Sequence, residues 1–308
     1  MRKRILIEES ATIDLATTAK QKMIWKPQRC WVVKMRSFGV SMKPKNRPEF
    51  KRIVSLAPAI TEILFALGRS DRLVGVTDSC DYPDAVREIP NVSLWFEPDL
   101  DKLLALKPDL VLGLETAHQR LKSEFKSTGV QVILVNPTSV NAALEVILGL
   151  GELLDATDVA RSCTQNLRAR LNLLDRKVAE VPVENRFTVC RVLDLEGNKV
   201  MVAGPLSFQY DVISRAGGLN VTGEYQDAYP KVKWAQFRRW DPAMVFFCGY
   251  DPQFIPRLKA DSKWQSLTAV KSGRLYQFDC ALTCRTGPRI VDMAELLFST
   301  LYENGDGR

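Results

Sequence analysis

Residues 139–181 read SVNAALEVILGLGELLDATDVARSCTQNLRARLNLLDRKVAEV, and this stretch decides how the chain is organised. Its apolar residues, among them Leu144, Ile147, Leu148, Leu167, Leu171, Leu174 and Val178, recur at the period of a helix with one buried face, and no strand pattern interrupts them. Gly149, Gly151 and Asp155 divide the stretch into two helices, the second continuous from about Ala156 to Val181.

Working outward, both flanks alternate strand and helix. Upstream, Arg52-Ile53-Val54-Ser55-Leu56 reads as a short buried strand, and Pro58 and Thr61-Glu62 open a helix that Gly68 closes. Leu73–Val76, Asp109–Gly113 and Gln131–Val135 are further strands, with helices over Leu100–Leu106 and Gln119–Ser127. Downstream, Phe187–Leu193, Met244–Cys248 and Arg274–Phe278 are strands, Phe208–Arg215 is a helix ended by Gly217-Gly218, and Arg289–Leu301 is a closing amphipathic helix. Strands alternating with helices imply parallel-type sheets covered on both faces. The expected fold is α/β, with two lobes joined by a single long helix. Its divisions are an irregular extension over 1–50, a first lobe over 51–138, helices including the connector over 139–182, and a second lobe over 183–303.

A chain of 308 residues, 46% hydrophobic and 26% charged, has the composition of a globular protein with room for two cores. The net charge of +7 is concentrated near the N-terminus, where 14 Lys and Arg face four acids within residues 1–52. A basic excess confined to an irregular stretch without a recognition motif excludes nucleic acid as the expected partner. No segment is apolar enough to span a bilayer, and Ile5-Leu6-Ile7 runs directly into Glu8-Glu9, so no signal peptide is read; Met35 and Met42 are alternative starts. Seven cysteines, of which only Cys280 and Cys284 are closely spaced, read as free thiols.

Most catalytic chemistry finds no support. There is a single histidine, His118, and no G-x-S-x-G, H-E-x-x-H, P-loop or G-x-G-x-x-G string in a suitable context. Cys80, Cys248, Cys280 and Cys284 fall near strand ends, where open α/β sheets place ligands, but free cysteine is also a small buried hydrophobe. No metal site is expected from them.

The string Arg52 to Glu62, with Cys80-Asp81-Tyr82-Pro83, Leu103 to Val111, Ala216-Gly217-Gly218-Leu219-Asn220 and Arg285-Thr286-Gly287-Pro288-Arg289-Ile290-Val291-Asp292, resembles the cobalamin and ferric-siderophore substrate-binding proteins of ABC importers, from about Arg52 to Leu301. The resemblance implies two Rossmann-like lobes on a helical backbone, the helical-backbone periplasmic-binding-protein fold, clamping a metal chelate, a corrinoid or Fe(III) chelate, for delivery to a permease. It implies binding without catalysis, no covalently held cofactor and a monomer in the cell envelope. It places Trp95, Tyr82 and Tyr229 as aromatic faces toward the ligand and Arg285 as a guanidinium for a ligand carboxylate or phosphate; Arg289, near the last helix, and, from their own positions in the chain, Cys80, His118 and Cys248 are lesser cleft candidates.

The match departs from the family's pattern in several places. Asp101 stands where the first lobe's permease-docking glutamate is usual, but Ala235 occupies the second docking position, beside Lys233, Arg238 and Arg239. Ala281 and Leu282 replace an Asp and a Trp of cobalamin-binding members. These departures and the missing signal leave a cytoplasmic corrinoid- or cofactor-binding relative as the alternative. An enzyme acting on a metal complex through Cys80, Cys280 or Cys284 is the third reading.

Overall fold

The computed structural model describes residues 49–303. The basic extension expected over residues 1–50 therefore lies outside the described residues except for its last two, and of these Phe50 is buried in the core.

β1 (Ile53–Ser55) is buried along its whole length and leads into α1 (Pro58–Ala66), which starts on Pro58, where the missing N–H has no cost. Gly68, at φ +64, turns the chain back toward β2 (Leu73–Thr77) and β3 (Asn91–Ser93). Then follow α2 (Leu100–Ala105), capped by the Asp99 carboxylate on Lys102 N–H, β4 (Leu110–Leu114), two single turns α3 (Glu115–His118) and α4 (Leu121–Glu124), and β5 (Gln131–Val135). The strands form a sheet ordered β3-β2-β1-β4-β5, and every pairing in it is parallel. Of the helix expected over Gln119–Ser127 only the single turn α4 forms, and α3 precedes it, folding His118 back onto the end of β4, where Leu114 N–H donates to His118 Nδ1 at 3.0 Å.

The connector comprises α5 (Val140–Leu153) and α6 (Thr157–Ala179). The break is made by Asp155 at φ +56, not by the glycines, which lie within α5. Arg69 holds the break in place, donating from Nε to Leu154 O at 2.8 Å and from its terminal nitrogen to Asp155 O at 2.5 Å. Gly151 has another use: a Cβ there would lie 2.3 Å from the Cβ of Ala160, so its absence lets α5 and α6 meet at backbone distance. With 23 residues α6 spans about 34 Å, and Ala160, Thr164, Leu167, Leu171, Leu174 and Val178 form its buried stripe.

The second lobe contains β6 (Thr188–Glu196), β7 (Lys199–Val202), α7 (Phe208–Arg215), β8 (Leu219–Asn220), β9 (Lys231–Lys233), α8 (Trp234–Trp240) and β10 (Met244–Cys248). Three short helices, α9 (Phe254–Ala260), α10 (Ser262–Gln265) and α11 (Thr268–Lys271), lead to β11 (Leu275–Phe278), α12 (Cys280–Thr283) and α13 (Ile290–Phe298). The sheet runs β11-β10-β6-β7-β9. It is mixed rather than parallel as expected: β10 pairs parallel with β6 and β11, whereas β7 is antiparallel to both β6 and β9. The cause is a tight hairpin in which Glu196 pairs with Lys199 and Gly197 takes φ +57.

One apolar cluster runs from Ile53 and Leu110 through Leu144 and Leu171 to Val189, Met244 and Leu297, so the lobes share a core with their connector. The outer faces of the sheets carry separate clusters, around Val54 and Phe125 in the first lobe and Phe237 and Trp264 in the second. Among the described residues, no helix is long and apolar enough to cross a membrane.

Candidate ligand-binding cleft

The lobes are tied together by ions. Glu62, in the first turns of α1, is only 3% exposed, yet it lies among the apolar residues Ile60, Ile63 and Leu64. A carboxylate cannot stay charged there without donors, and both of its donors come from the chain after α12. Arg289 grips it with two nitrogens, Nε to Oε2 at 3.0 Å and a terminal nitrogen to Oε1 at 2.7 Å, and Arg285 donates to Oε1 at 3.0 Å. Arg285 also reaches Asp81 Oδ1 at 2.6 Å and Ser79 O at 3.2 Å. Burial works against the Arg285 charge, but the bonds to Asp81 and Glu62 outweigh it and hold the guanidinium firmly protonated. Burial is the largest single influence on Asp81 and acts to raise its pKa, but the hydrogen bond and charge of Arg285 together outweigh it and hold the carboxyl below the usual carboxylate range. Gly287 permits the approach, since a Cβ there would lie 3.1 Å from Glu62 Oε2 and 3.2 Å from Ala59 O.

Around this latch the C-terminal ends of the strands present aromatic rings. Tyr82, 48% exposed, lies beneath the Arg289 guanidinium, 4.0 Å from ring centroid to Cζ. Trp95 follows β3, its backbone N–H fixed by Asp78 Oδ1 at 3.1 Å, and its ring packs on Phe96 at 3.9 Å, leaving Phe96 65% exposed. The indole N–H of Trp95 is buried without an acceptor among the described residues. From the second lobe, Tyr229 is partly exposed and donates to Gln209 Oε1 at 3.2 Å. Tyr250, just past β10, is largely exposed and within electrostatic reach of Asp279 and of Asp81 in the opposite lobe.

The remaining candidates divide. His118 is fully buried: its Nδ1 accepts from Leu114, so Nε2 carries the hydrogen and donates to Trp95 O at 2.9 Å. Its place is beneath the Trp95 loop, supporting it. A Cβ on Gly113 would come within 2.7 Å of Nδ1, so that glycine makes room for the ring. Cys80 lies in the first lobe's core beside the Thr61 and Thr77 hydroxyls, and burial pushes its thiol pKa up. Asp101 is exposed in the first turn of α2, and Ala235 is exposed at the start of α8 between exposed Lys233, Arg238 and Arg239.

Cys248, at the end of β10, meets Cys280 and Cys284, which bracket α12; the three sulfurs all lie within 4.8 Å of one another. Cys284 Sγ is 3.2 Å from Cys248 Sγ. The hydrogen bond from Cys284 and then the charge of Arg191 bring the Cys248 pKa down to about 7, while that bond and burial push Cys284 upward.

A family model described as periplasmic binding protein matches residues 53–281, about three quarters of the chain. The chain belongs to the periplasmic binding protein family. An uncharacterized ABC transporter substrate-binding lipoprotein of Bacillus subtilis is 29% identical over 268 residues, covering 83% of this chain and 81% of the relative. The vitamin B12-binding protein of Yersinia pestis is 24% identical over 204 residues, 66% of this chain and 71% of its own. Among solved structures, the periplasmic heme-binding protein RhuT of Roseiflexus superposes with a TM-score of 0.74 at 22% identity, covering 82% of this chain and 98% of that one.

In this family member, Glu62, Arg191, Tyr250 and Phe96 were not singled out from sequence. Glu62 carried a usable signal, an acid inside an apolar helical stripe, and so did Arg191, a charge in the midst of Val189-Cys190-Arg191-Val192. Tyr250 carried none, since one aromatic after a strand is unremarkable until the fold sets it opposite Asp81.

Proposed function

We propose that this periplasmic binding protein is the substrate-binding component of an ABC importer and holds a metal chelate of the corrinoid or haem class between its lobes. The observation that carries this reading is that exposed aromatic rings of both lobes approach the Arg285–Asp81 pair, Tyr82 packed under Arg289 beside Asp81 and Tyr250 within electrostatic reach of Asp81. Tyr82 and Phe96 come from the first lobe, and Tyr229 and Tyr250 from the second. Flat rings on opposing walls suit a macrocycle, whose faces offer large apolar area and whose rim carries acid or amide groups. That one relative is a vitamin B12-binding protein and one structural neighbour a heme-binding protein supports the ligand class. In this reading Trp95, Tyr82 and Tyr229 contact the chelate, Arg289 positions the Tyr82 ring, and Arg285 holds the lobes together through Glu62 and Asp81. Exposed Asp101 supplies the first lobe's contact to the permease, and Lys233, Arg238 and Arg239 make the second lobe's contact basic.

The test is a fluorescence titration of the purified chain with haemin, cyanocobalamin, cobinamide and representative ferric siderophores. Saturable quenching by one tetrapyrrole, weakened at least about tenfold in Trp95→Ala, is the expected result. Quenching by a ferric siderophore alone would replace the macrocycle with a catecholate or hydroxamate ligand. Failure of the whole panel would remove the chelate reading.

A further inference from the structure

Three of the second lobe's four cysteines, Cys248, Cys280 and Cys284, and the arginine behind them form a unit that chelate binding does not require. We propose that Cys248, Cys280 and Cys284 constitute a binding site for a thiophilic metal ion, with Arg191 as its buried counter-charge.

The first argument is geometric. Donors about 2.3 Å from a common ion in trigonal or tetrahedral array lie roughly 3.8–4.0 Å from one another. The three sulfurs already lie within 4.8 Å, the closest pair at 3.2 Å, so adjustments of well under an ångström at each side chain seat an ion among them. Cys248 ends β10 and Cys280 and Cys284 flank a single helical turn, so rigid elements hold all three ligands. Cys284 is exposed and the other two are partly so, leaving an open approach and a free fourth position.

The second argument is electrostatic and independent of the sulfurs' spacing. Arg191, in the middle of β6, is 1% exposed, yet no carboxylate forms an ion pair with it among the described residues. Its terminal nitrogens reach Val192 O and, at 3.8 Å, Cys284 Sγ; its Nε has no acceptor among the described residues; and its Cζ sits 5.6 Å over the Phe246 ring. A guanidinium this deep needs negative charge, and the thiol cluster it points into is the only candidate source in contact with it among the described residues. Three thiolates with a divalent ion carry one net negative charge, which one guanidinium balances. Loading the site displaces the remaining thiol protons to solvent and changes no oxidation state. Thiolates select copper(I), zinc and cadmium over magnesium, calcium and manganese.

The experiment titrates the full chain, reduced and under anaerobic conditions, with Cd(II) alone, following thiolate-to-cadmium charge-transfer absorbance and the count of thiols that still react with a disulfide reagent. The expected result is saturation at one equivalent with the cluster's thiols protected. The band is lost in Cys248→Ser and in Cys284→Ser and unchanged in Cys163→Ser, whose thiol lies on α6. Arg191→Lys should retain the band, and Arg191→Met should weaken binding about 10–100-fold. Should Arg191→Met not fold, the cysteine variants decide. A band that survives both cluster substitutions, or no saturable binding, overturns the proposal. So does a Cys248–Cys284 disulfide that persists in the reduced protein by mass spectrometry. No chelate enters the experiment, so its outcome stands apart from that of the chelate titration.

Discussion

At the scale of single residues, most of the cleft's energetics concentrates in Glu62. It is buried between two arginines from the far side of the molecule, and the pair Glu62–Asp81 balances the pair Arg285–Arg289 in charge. Such a cluster adds little net stability over an apolar substitute, but removing one member leaves an uncompensated buried charge. Glu62→Gln is therefore expected to destabilise the protein by about 3–5 kcal/mol, read by urea denaturation; a loss below about 1 kcal/mol would show that solvent reaches the arginines. His118 yields a pH dependence whose sign is determined. Burial first, and Arg120 second, lower its pKa in the folded state, so the unfolded chain binds a proton more readily. Stability from the neutral ring is complete above the unfolded value of about 6.5 and is lost as pH falls from there toward the lower folded value. Because the chain has one histidine, His118→Gln should flatten the stability decline just below about pH 6.5. An unchanged profile in that variant would assign the decline to carboxylates instead.

At the scale of elements, what was readable in the sequence follows the strength of its periodic signal. The stripe Leu167, Leu171, Leu174 and Val178 is long and regular, and α6 lies where it predicts. The strands Gln131–Val135 and Met244–Cys248 were readable residue for residue because they are continuous apolar runs between turn signals. By contrast, β3, β8 and β9 are two or three residues long, too short for any period to register, and β7 was hidden because only the Glu196–Lys199 hairpin shows that it pairs antiparallel. The break before α6 falls at Asp155, which the sequence offered together with Gly149 and Gly151; glycine can end a helix or let two helices touch, and at Gly151 the second use prevails. The site was less readable than the fold. Tyr82, Trp95, Tyr229 and Arg285 came to notice through family resemblance, but the commitment of Arg285 to Glu62 and the convergence of Cys248 with Cys280 and Cys284 join residues 223, 32 and 36 positions apart, which no local pattern encodes.

At the scale of the whole molecule, the shared core and the Arg285 and Arg289 latch join the lobes, and Arg170 of α6 paired with Asp292 and Glu295 of α13 ties the connector to the second lobe. A wide hinge opening would break them together, so the cleft is nearly formed before ligand arrives, and little ordering cost is left to binding. Hydrogen–deuterium exchange with and without the chelate reads whether a tetrapyrrole sits, as proposed, between both lobes at the ends of their strands. The expected result is simultaneous protection of the 78–83 and 94–96 loops in the first lobe and of the segments around Tyr229 and Cys248–Tyr250 in the second, with α6 unchanged. Protection confined to one lobe, or centred outside these loops, would contradict it.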